Sequence, residues 1–343
     1  MDFKTILNKL SFSEDLTRDE AELAMNLIMS GEVSSEQVAG FLTAMRLKGE
    51  SIDELTGFVK VMRDKAVKVD VDVNGAVDLV GTGGDKSGTF NISTTSTFVV
   101  AGAGVPIIKH GNRSASSKCG SADVLEHLGA KIELDHSQVK SVFDEVGMAF
   151  MYAPMFHPAM KYVMPARRAL GFRTFFNILG PMCNPAGVKR YVIGAFSKEV
   201  AEKMAKILSN LDTEFAYTFN SHDGLDEVST TSQAEIFELK DSVASTAITF
   251  EPESLGFDRV DMDQLMGGDA EQNAEIMTSI LDDEATPAQR DIIILNATFA
   301  IQASGKVGSL IEAKELAEES LFSGKAKEVF DNFIQATNNV GAA

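Results

Sequence analysis

The sequence predicts an α/β protein: a small N-terminal helical domain, then a larger α/β domain with a mainly parallel central sheet flanked by helices. Three observations carry this. The first 70 residues repeat helix-start signals and helical apolar spacing. From Val77 onward, short apolar runs end in glycine-rich turns. Those runs alternate with helix-length amphipathic stretches, the pattern of strands that must cross over to lie parallel.

The helical start is read from its caps. Thr17 is followed by Glu20, Ser34 by Gln37 and Ser51 by Glu54. Each pair is a capping box, in which a hydroxyl accepts an orphan N–H and the longer side chain reaches back. Gly31 and Gly49 stand where helices should end. Leu23, Leu27 and Ile28, like Val38, Phe41, Leu42 and Met45, recur at helical spacing. An apolar face left over on such a unit would suit a dimer.

Val77 to Val80 predicts a buried strand running into Gly81-Thr82-Gly83-Gly84-Asp85. The pattern then predicts a helix over 93–103, a strand over 105–108, helices over 121–128 and 137–146, and a strand over 149–152. Strand-like runs recur at 191–195, 215–219, 235–239 and 245–250. A helix over 286–304 opens with Thr286 as N-cap and Pro287 at the first helical position.

A chain of 343 residues, 44% hydrophobic, can bury more core than one small domain needs. No apolar run reaches 18 residues, so no membrane-spanning helix is expected. Met1-Asp2-Phe3-Lys4 lacks the layout of a signal peptide. Cys119 and Cys183 have no metal-type spacing and are expected to be unreactive, without a disulfide framework. A cytoplasmic location is the expectation.

The net charge of −19 argues against nucleic acid or an anionic membrane as partner. Its distribution is more informative. No Asp or Glu occurs from Lys86 to Ala122 or from Val146 to Lys198, yet these windows hold Lys109, Arg113, Lys118, Lys161, Arg167, Arg168 and Arg173. Burial excludes carboxylates, and so does a pocket for a small, highly anionic ligand.

Four stretches can carry chemistry. Gly81 to Asp85, continuing through Thr89 to Asn91-Ile92-Ser93-Thr94, follows a strand and opens a helix. It is either a tight turn or a phosphate cradle of backbone N–H groups at a helix N-terminus. It is neither a P-loop nor the dinucleotide fingerprint. Lys109-His110-Gly111-Asn112-Arg113-Ser114-Ala115-Ser116-Ser117, leading to Ser121, packs cations, hydroxyls and glycines as a pyrophosphate would require. His157-Pro158-Ala159-Met160 begins a predicted helix that reaches Arg167 and Arg168. Those arginines are either a solvated pair or a fork for a carboxylate. Asp223-Gly224-Leu225-Asp226-Glu227 is either a surface turn or a Mg²⁺ site completed by phosphates and water.

In this order, Gly-Thr-Gly-Gly-Asp, Asn-Ile-Ser-Thr, Lys-His-Gly-Asn-Arg, Gly-Ser-Ala-Asp, His-Pro-Ala-Met, Asn-Ile-Leu-Gly-Pro and Asp-Gly-Leu-Asp-Glu span nearly the whole chain. Together they resemble the anthranilate phosphoribosyltransferase family, in the class that also holds pyrimidine nucleoside phosphorylases. The resemblance implies a helical dimerisation domain over 1–70 with a returning piece near 165–188. It implies an α/β domain over 75–164 and 189–343. The implied reaction moves the phosphoribosyl group of phosphoribosyl pyrophosphate onto the amine of anthranilate, a step of tryptophan biosynthesis. The ligands would lie between the domains, and the partner would be a second copy of the chain.

By the same resemblance, Gly81, Gly84, Asp85, Thr89, Asn91, Ile92, Ser93, Thr94, Lys109, His110, Gly111, Asn112, Arg113, Ser114, Ala115, Ser116, Ser117 and Ser121 would bind phosphoribosyl pyrophosphate. Gly81, Asn112 and Arg167 would contact anthranilate, with Arg167 at its carboxylate. Ser93, Asp226 and Glu227 would hold two Mg²⁺ ions. An aromatic amine needs little deprotonation before attack, so no strong base is required; His110 is a candidate proton acceptor. The alternatives are a pyrimidine nucleoside phosphorylase and a transferase-like protein turned to nucleic-acid binding, the latter disfavoured by a pI near 4.7.

Overall fold

The computed structural model describes residues 1–85, 87–114 and 118–340. Helix α1 (Phe3–Ser11) starts where Asp2 accepts the Thr5 N–H. Helices α2 (Arg18–Met29), α3 (Ser35–Lys48) and α4 (Ile52–Lys65) start at the three capping boxes, with both reciprocal bonds formed in each. Their apolar faces converge on Phe3, Phe41 and Phe58, and the ring of Phe175 stacks on Phe58 at 4.6 Å between centroids. Phe175 thus draws a segment from the middle of the chain back onto the helical unit.

Strand β1 (Val77–Gly81), helix α5 (Ile92–Gly102), strand β2 (Ile107–Gly111), helices α6 (Ser121–His127) and α7 (His136–Val146) and strand β3 (Met148–Tyr152) follow in order. β2 begins two residues later than expected. The Val105 N–H still returns to Val100 at the end of α5, and Pro106 has no N–H to give a ladder.

The predicted helix from His157 to Arg167 is broken. Helix α8 (Ala153–Phe156), a 3₁₀ segment (Pro158–Tyr162) and helix α9 (Met164–Leu170) divide it, because Pro158 and Pro165 each remove a helical donor. α9 packs on α3, and helix α10 (Phe176–Leu179) packs on α4.

Strand β4 (Arg190–Gly194), helix α11 (Lys198–Ser209) and strands β5 (Phe215–Ser221), β6 (Ala234–Lys240), β7 (Val243–Ala244) and β8 (Ile248–Phe250) complete the sheet. The predicted strand over 245–250 is interrupted. β7 pairs with one end of β6 through a turn with Asp241 and Ser242 at positive φ, and β8 pairs with its other end. Helices α12 (Ala270–Leu281), α13 (Pro287–Ala303), α14 (Leu310–Phe322) and α15 (Lys325–Asn339) close the chain.

The strand order is β3-β2-β1-β4-β5-β6-β7. β1 to β5 are mutually parallel, and β6 to β8 form an antiparallel edge. α5 and α13 cover one face, with α14 and α15 packed on α5, while α11 covers the other beside α4. No described helix is long and apolar enough to cross a membrane.

Candidate active site at the carboxyl ends of the strands

Order along the sheet reverses between β1 and β4. The chain moves from β1 outward to β2 and β3, then returns to start again at β4 beside β1. The loops after β1 and β4 therefore diverge and leave a crevice at the carboxyl ends of the strands, where α/β sheets bind ligands. The glycine loop follows β1, the Lys-His-Gly-Asn-Arg stretch runs from the last residues of β2 into the loop beyond it, and the Asp-Gly-Leu-Asp-Glu turn follows β5. Three of the four stretches thus leave the sheet at one end.

Space for the acidic turn is made by glycines. Gly81 and Gly194 are register partners at the ends of β1 and β4. A Cβ on Gly81 would strike the Asp226 carboxylate, and one on Gly194 would strike the Asp226 main chain. Asp226 accepts the Gly83 N–H at 2.5 Å, and Glu227 accepts the Ser93 N–H at 3.0 Å.

The turn is held from behind. Ser221 donates its hydroxyl to the Glu227 carbonyl at 2.7 Å, and Asn296 on α13 bonds both the N–H and the C=O of Val228. Burial, then proximity to Asp85, raises the Asp226 carboxyl above its usual range; burial, then Asp226, raises that of Glu227.

Two adjacent buried carboxylates with raised proton affinity are a poor end state and a good seat for a divalent cation. Among the described residues no group of three His, Cys, Asp or Glu could hold a metal unaided. That donor set fits Mg²⁺, which takes one or two carboxylates and fills its shell with phosphate oxygens and water. The Ser93 hydroxyl belongs to the same group, since the Lys109 ammonium lies 3.3 Å from it.

Alternation along β2 separates its two functional side chains. Lys109 faces α5, is buried, and also donates to the Leu79 carbonyl. Burial lowers its proton affinity, against the pull of Asp78, Glu227 and Asp226. His110 faces the opposite side and lies 5.0 Å from the His157 ring, centroid to centroid. Burial, with His157 second, pushes the His110 pKa to about 3, so the ring is neutral and a weak base. Burial also lowers His157, to about 4.

Beyond β2, Asn112 accepts the Ser121 hydroxyl at its carbonyl and the Arg113 N–H at its side chain. The Arg113 guanidinium is turned onto Glu126 and Asp123, with Tyr152 beneath it. Asp123 also accepts the N–H groups of Ser114 and Gly120 and so staples the loop base. Ala115, Ser116 and Ser117 lie outside the described residues.

On the glycine loop, Gly84 has φ +77° and its carbonyl accepts from Arg173. Asp85 caps the Ser87 N–H, and Thr89 bridges to Met266. Thr94 and Ile92 are buried, so Ile92 offers the site its backbone alone.

The two arginines of α9 part company. Arg168 is exposed, whereas Arg167 is half-buried over the Phe176 ring and reaches Asn177 at 3.5 Å. Burial lowers its proton affinity, and among the described residues no carboxylate pairs with it. A guanidinium without a counter-ion is what an incoming carboxylate requires.

Sequence reasoning missed Arg173, which ties Gly84 to a segment whose own Arg173 carbonyl accepts from Arg46 on α3. It also missed Ser221, Asn296 and Asn273, the last of which donates its side-chain amide to Asn91. No motif marks them; the acid-free window around Arg173 was the one available signal. Cys119 and Cys183 are buried thiols, and burial raises them to about 11 and about 12. An acid-lined hollow of about 620 Å³ between α6 and α12, with Glu271, Glu275 and Asp282 in its wall, has the wrong charge for a phosphate ligand.

Comparison with known proteins identifies the family of the chain. Residues 4–66 match the helical bundle domain of a glycosyl transferase family, and residues 73–327 match its a/b domain. The chain is 46% identical to anthranilate phosphoribosyltransferase of Salinibacter ruber over 97% of its own length and 98% of that protein's. It is 44% identical to that of Aquifex aeolicus, over 98% and 99%.

Among solved structures, anthranilate phosphoribosyltransferase from Thermus thermophilus superposes with a TM-score of 0.91 at 37% identity, covering 98% of this chain and 100% of that one. The Saccharomyces cerevisiae protein in complex with PRPP and Mg superposes at 0.89 with 26% identity, covering 98% of each chain. The chain belongs to the anthranilate phosphoribosyltransferase family, with the helical bundle and a/b domains of that glycosyl transferase family.

Proposed function

We propose that the protein transfers the 5-phosphoribosyl group of phosphoribosyl pyrophosphate (PRPP) to the amine of anthranilate, giving N-(5-phosphoribosyl)anthranilate and pyrophosphate. The observation that carries this is the meeting of Glu227 with Ser93, and of Asp226 with Gly83, at the sheet's switch point. The Saccharomyces cerevisiae relative, solved once with PRPP and Mg and once with 4-fluoroanthranilate, supports the two ligand classes.

In this assignment Gly81, Gly84, Asp85, Thr89, the N-terminus of α5 from Asn91 to Thr94, residues 109–117 and Ser121 hold PRPP. Ser93, Asp226 and Glu227 hold two Mg²⁺ ions. Gly81, Asn112 and Arg167 hold anthranilate, the guanidinium of Arg167 forking onto its carboxylate. Bound Mg²⁺ supplies charge neutralisation for the departing pyrophosphate.

The protein's own groups do the rest. N–H donors and Lys109 fix the leaving group, and the anomeric carbon gains positive character as its bond to pyrophosphate lengthens. The amine nitrogen, held in line by its carboxylate anchor, forms the new C–N bond and loses one proton. His110 is too weak a base to drive that loss, and an arylamine turned ammonium by alkylation gives up its proton to water readily.

We assign residues 1–70 and 165–188 to a helical domain and 75–164 and 189–343 to an α/β domain. We further assign the working form as a cytoplasmic homodimer. Phe12 and Leu47, exposed at 71% and 83% on the helical unit, support the dimer face.

The test is anthranilate fluorescence over time. Loss that requires the protein, PRPP and Mg²⁺ together is the expected result. No loss from folded protein, with phosphate-dependent cleavage of uridine or thymidine instead, overturns the assignment in favour of a nucleoside phosphorylase.

A further inference from the structure

Asn91 occupies the N-cap position of α5, a place its residue type favours because the side-chain oxygen can accept an N–H of the first turn. It makes no such bond. Its Oδ1 instead accepts from Asn273 Nδ2 at 2.9 Å, across 182 residues of sequence, and more weakly from the Cys119 thiol at 3.4 Å. Asn273 sits in the first turn of α12 and is 2% exposed.

The orientation of both amides follows from the network. The Gly268 N–H can only donate, and it lies 2.7 Å from Asn273 Oδ1. The other Asn273 terminal atom is therefore the nitrogen, and the Asn91 atom facing it must be the oxygen. That oxygen is the one atom of Asn91 able to cap α5. Asn91 Nδ2 is left pointing toward the Cys119 carbonyl, at a long 3.4 Å.

Everything around Asn273 keeps it in reach. The segment before α12 lies directly on the glycine loop: the Gly267 N–H donates to the Gly88 carbonyl at 2.9 Å, and the Phe90 N–H to the Leu265 carbonyl at 3.2 Å. A Cβ on Gly267 would collide with Phe90 and with Asn273 Oδ1, so only glycine allows this approach. Of the first-turn donors of α5, the Ser93 N–H is already taken by Glu227. The Thr94 N–H, at the third helical position, is the one Asn91 would otherwise cover.

We propose that Asn273 is a positioning residue that holds the Asn91 carboxamide away from its capping place and so keeps the N-terminus of α5 open to the phosphates of PRPP, an inference that rests on the function proposed above. A capped terminus satisfies its own donors and competes with the ligand; an open one presents them.

The variant Asn273→Leu keeps much of the volume but offers Asn91 neither a donor nor an acceptor, so a flipped Asn91 amide finds no substitute partner there. In its ligand-free crystal structure Asn91 Oδ1 is expected within hydrogen-bond distance of the Thr94 N–H. PRPP dissociation constants from calorimetry with Mg²⁺ should rise about tenfold, the order of a capping interaction expressed as affinity. The anthranilate KM and the kcat at saturating PRPP should stay near wild type.

The lost acceptor for the Gly268 N–H is separated by a cycle with Asn91→Gly, which has no side chain to move. In that background Asn273→Leu should weaken PRPP binding much less. An equal effect in both backgrounds, or an Asn91 that stays off Thr94 in the free variant, overturns the proposal. Asn273→Ala, smaller, serves the same cycle if the Leu variant does not fold. Should wild-type protein fail to bind PRPP, the functional assignment falls, while the position of Asn91 in the free variant still decides whether Asn273 holds it.

Discussion

The main chain of Asp226 lies where a Cβ on Gly194 would stand. Gly194 ends β4, Asp226 lies in the turn beyond the neighbouring β5, and β4 can approach that turn this closely because its last residue has no side chain. Gly81, the register partner of Gly194 on β1, gives the Asp226 carboxylate the same clearance. A pair of glycines thus fixes where two carboxylates can sit.

Gly194→Ala should displace the turn. Overpacking of this kind costs about 1–3 kcal/mol, visible as a lower urea midpoint. A shift of the carboxylates by an ångström should lower activity by about 10- to 100-fold. Activity within twofold of wild type would show that the carboxylates tolerate another placement.

Glu227→Gln should separate stability from function. Folded-state proton affinities of Asp226 and Glu227 are raised, by burial first and by neighbouring carboxylates second. A raised carboxyl contributes stability that is fully present below its unfolded value and is lost as pH rises through the folded one. In chelator, wild-type stability should therefore fall as pH climbs above the ordinary carboxylate range. The Gln variant should show a shallower fall, be at least as stable at pH 8, and lose both activity and the stabilisation that Mg²⁺ confers. A variant less stable than wild type in chelator at pH 8 would contradict this.

The histidine pair works in the opposite sense. His110 and His157 are depressed to about 3 and about 4 from an ordinary value of 6.5. Between pH 6.5 and about 4 the unfolded chain binds protons there that the folded chain does not, so stability falls as pH falls. Each ring contributes up to about 1.4 kcal/mol per pH unit in that window. With Mg²⁺ present, His110→Asn and His157→Gln should each flatten the acid limb of stability against pH. An unchanged slope would mean that the rings protonate in the folded protein.

Arg167→Ala should act on one substrate. Losing a charge-assisted contact to a carboxylate should raise the anthranilate KM by about 10- to 100-fold. The PRPP KM should move less than about twofold, because Arg167 sits over Phe176 rather than on the phosphate loops. Equal effects on both constants would remove Arg167 from the anthranilate site.

Helix starts and the loops that end the strands were legible in the sequence because their determinants are local. Thr17 and Glu20, Ser34 and Gln37, Ser51 and Glu54 bond within one turn of backbone. Gly81 to Asp85, Lys109 to Asn112 and Asp226-Glu227 lie at or just beyond the carboxyl ends of β1, β2 and β5, so a parallel sheet alone collects them at one end. The break at His157 was written in Pro158 and Pro165, and apolar spacing hid it.

The tertiary structure decided what no local pattern holds. Arg113 is turned onto Glu126 because α6 returns beneath its loop. Gly194 faces Asp226 because β4 inserts beside β1. Asn273 reaches Asn91 because the chain before α12 lies on the glycine loop. Periodicity and caps report bonds within a turn or a strand; partners 13 to 182 residues apart are chosen by packing, which places them together only once the sheet and its covering helices are assembled.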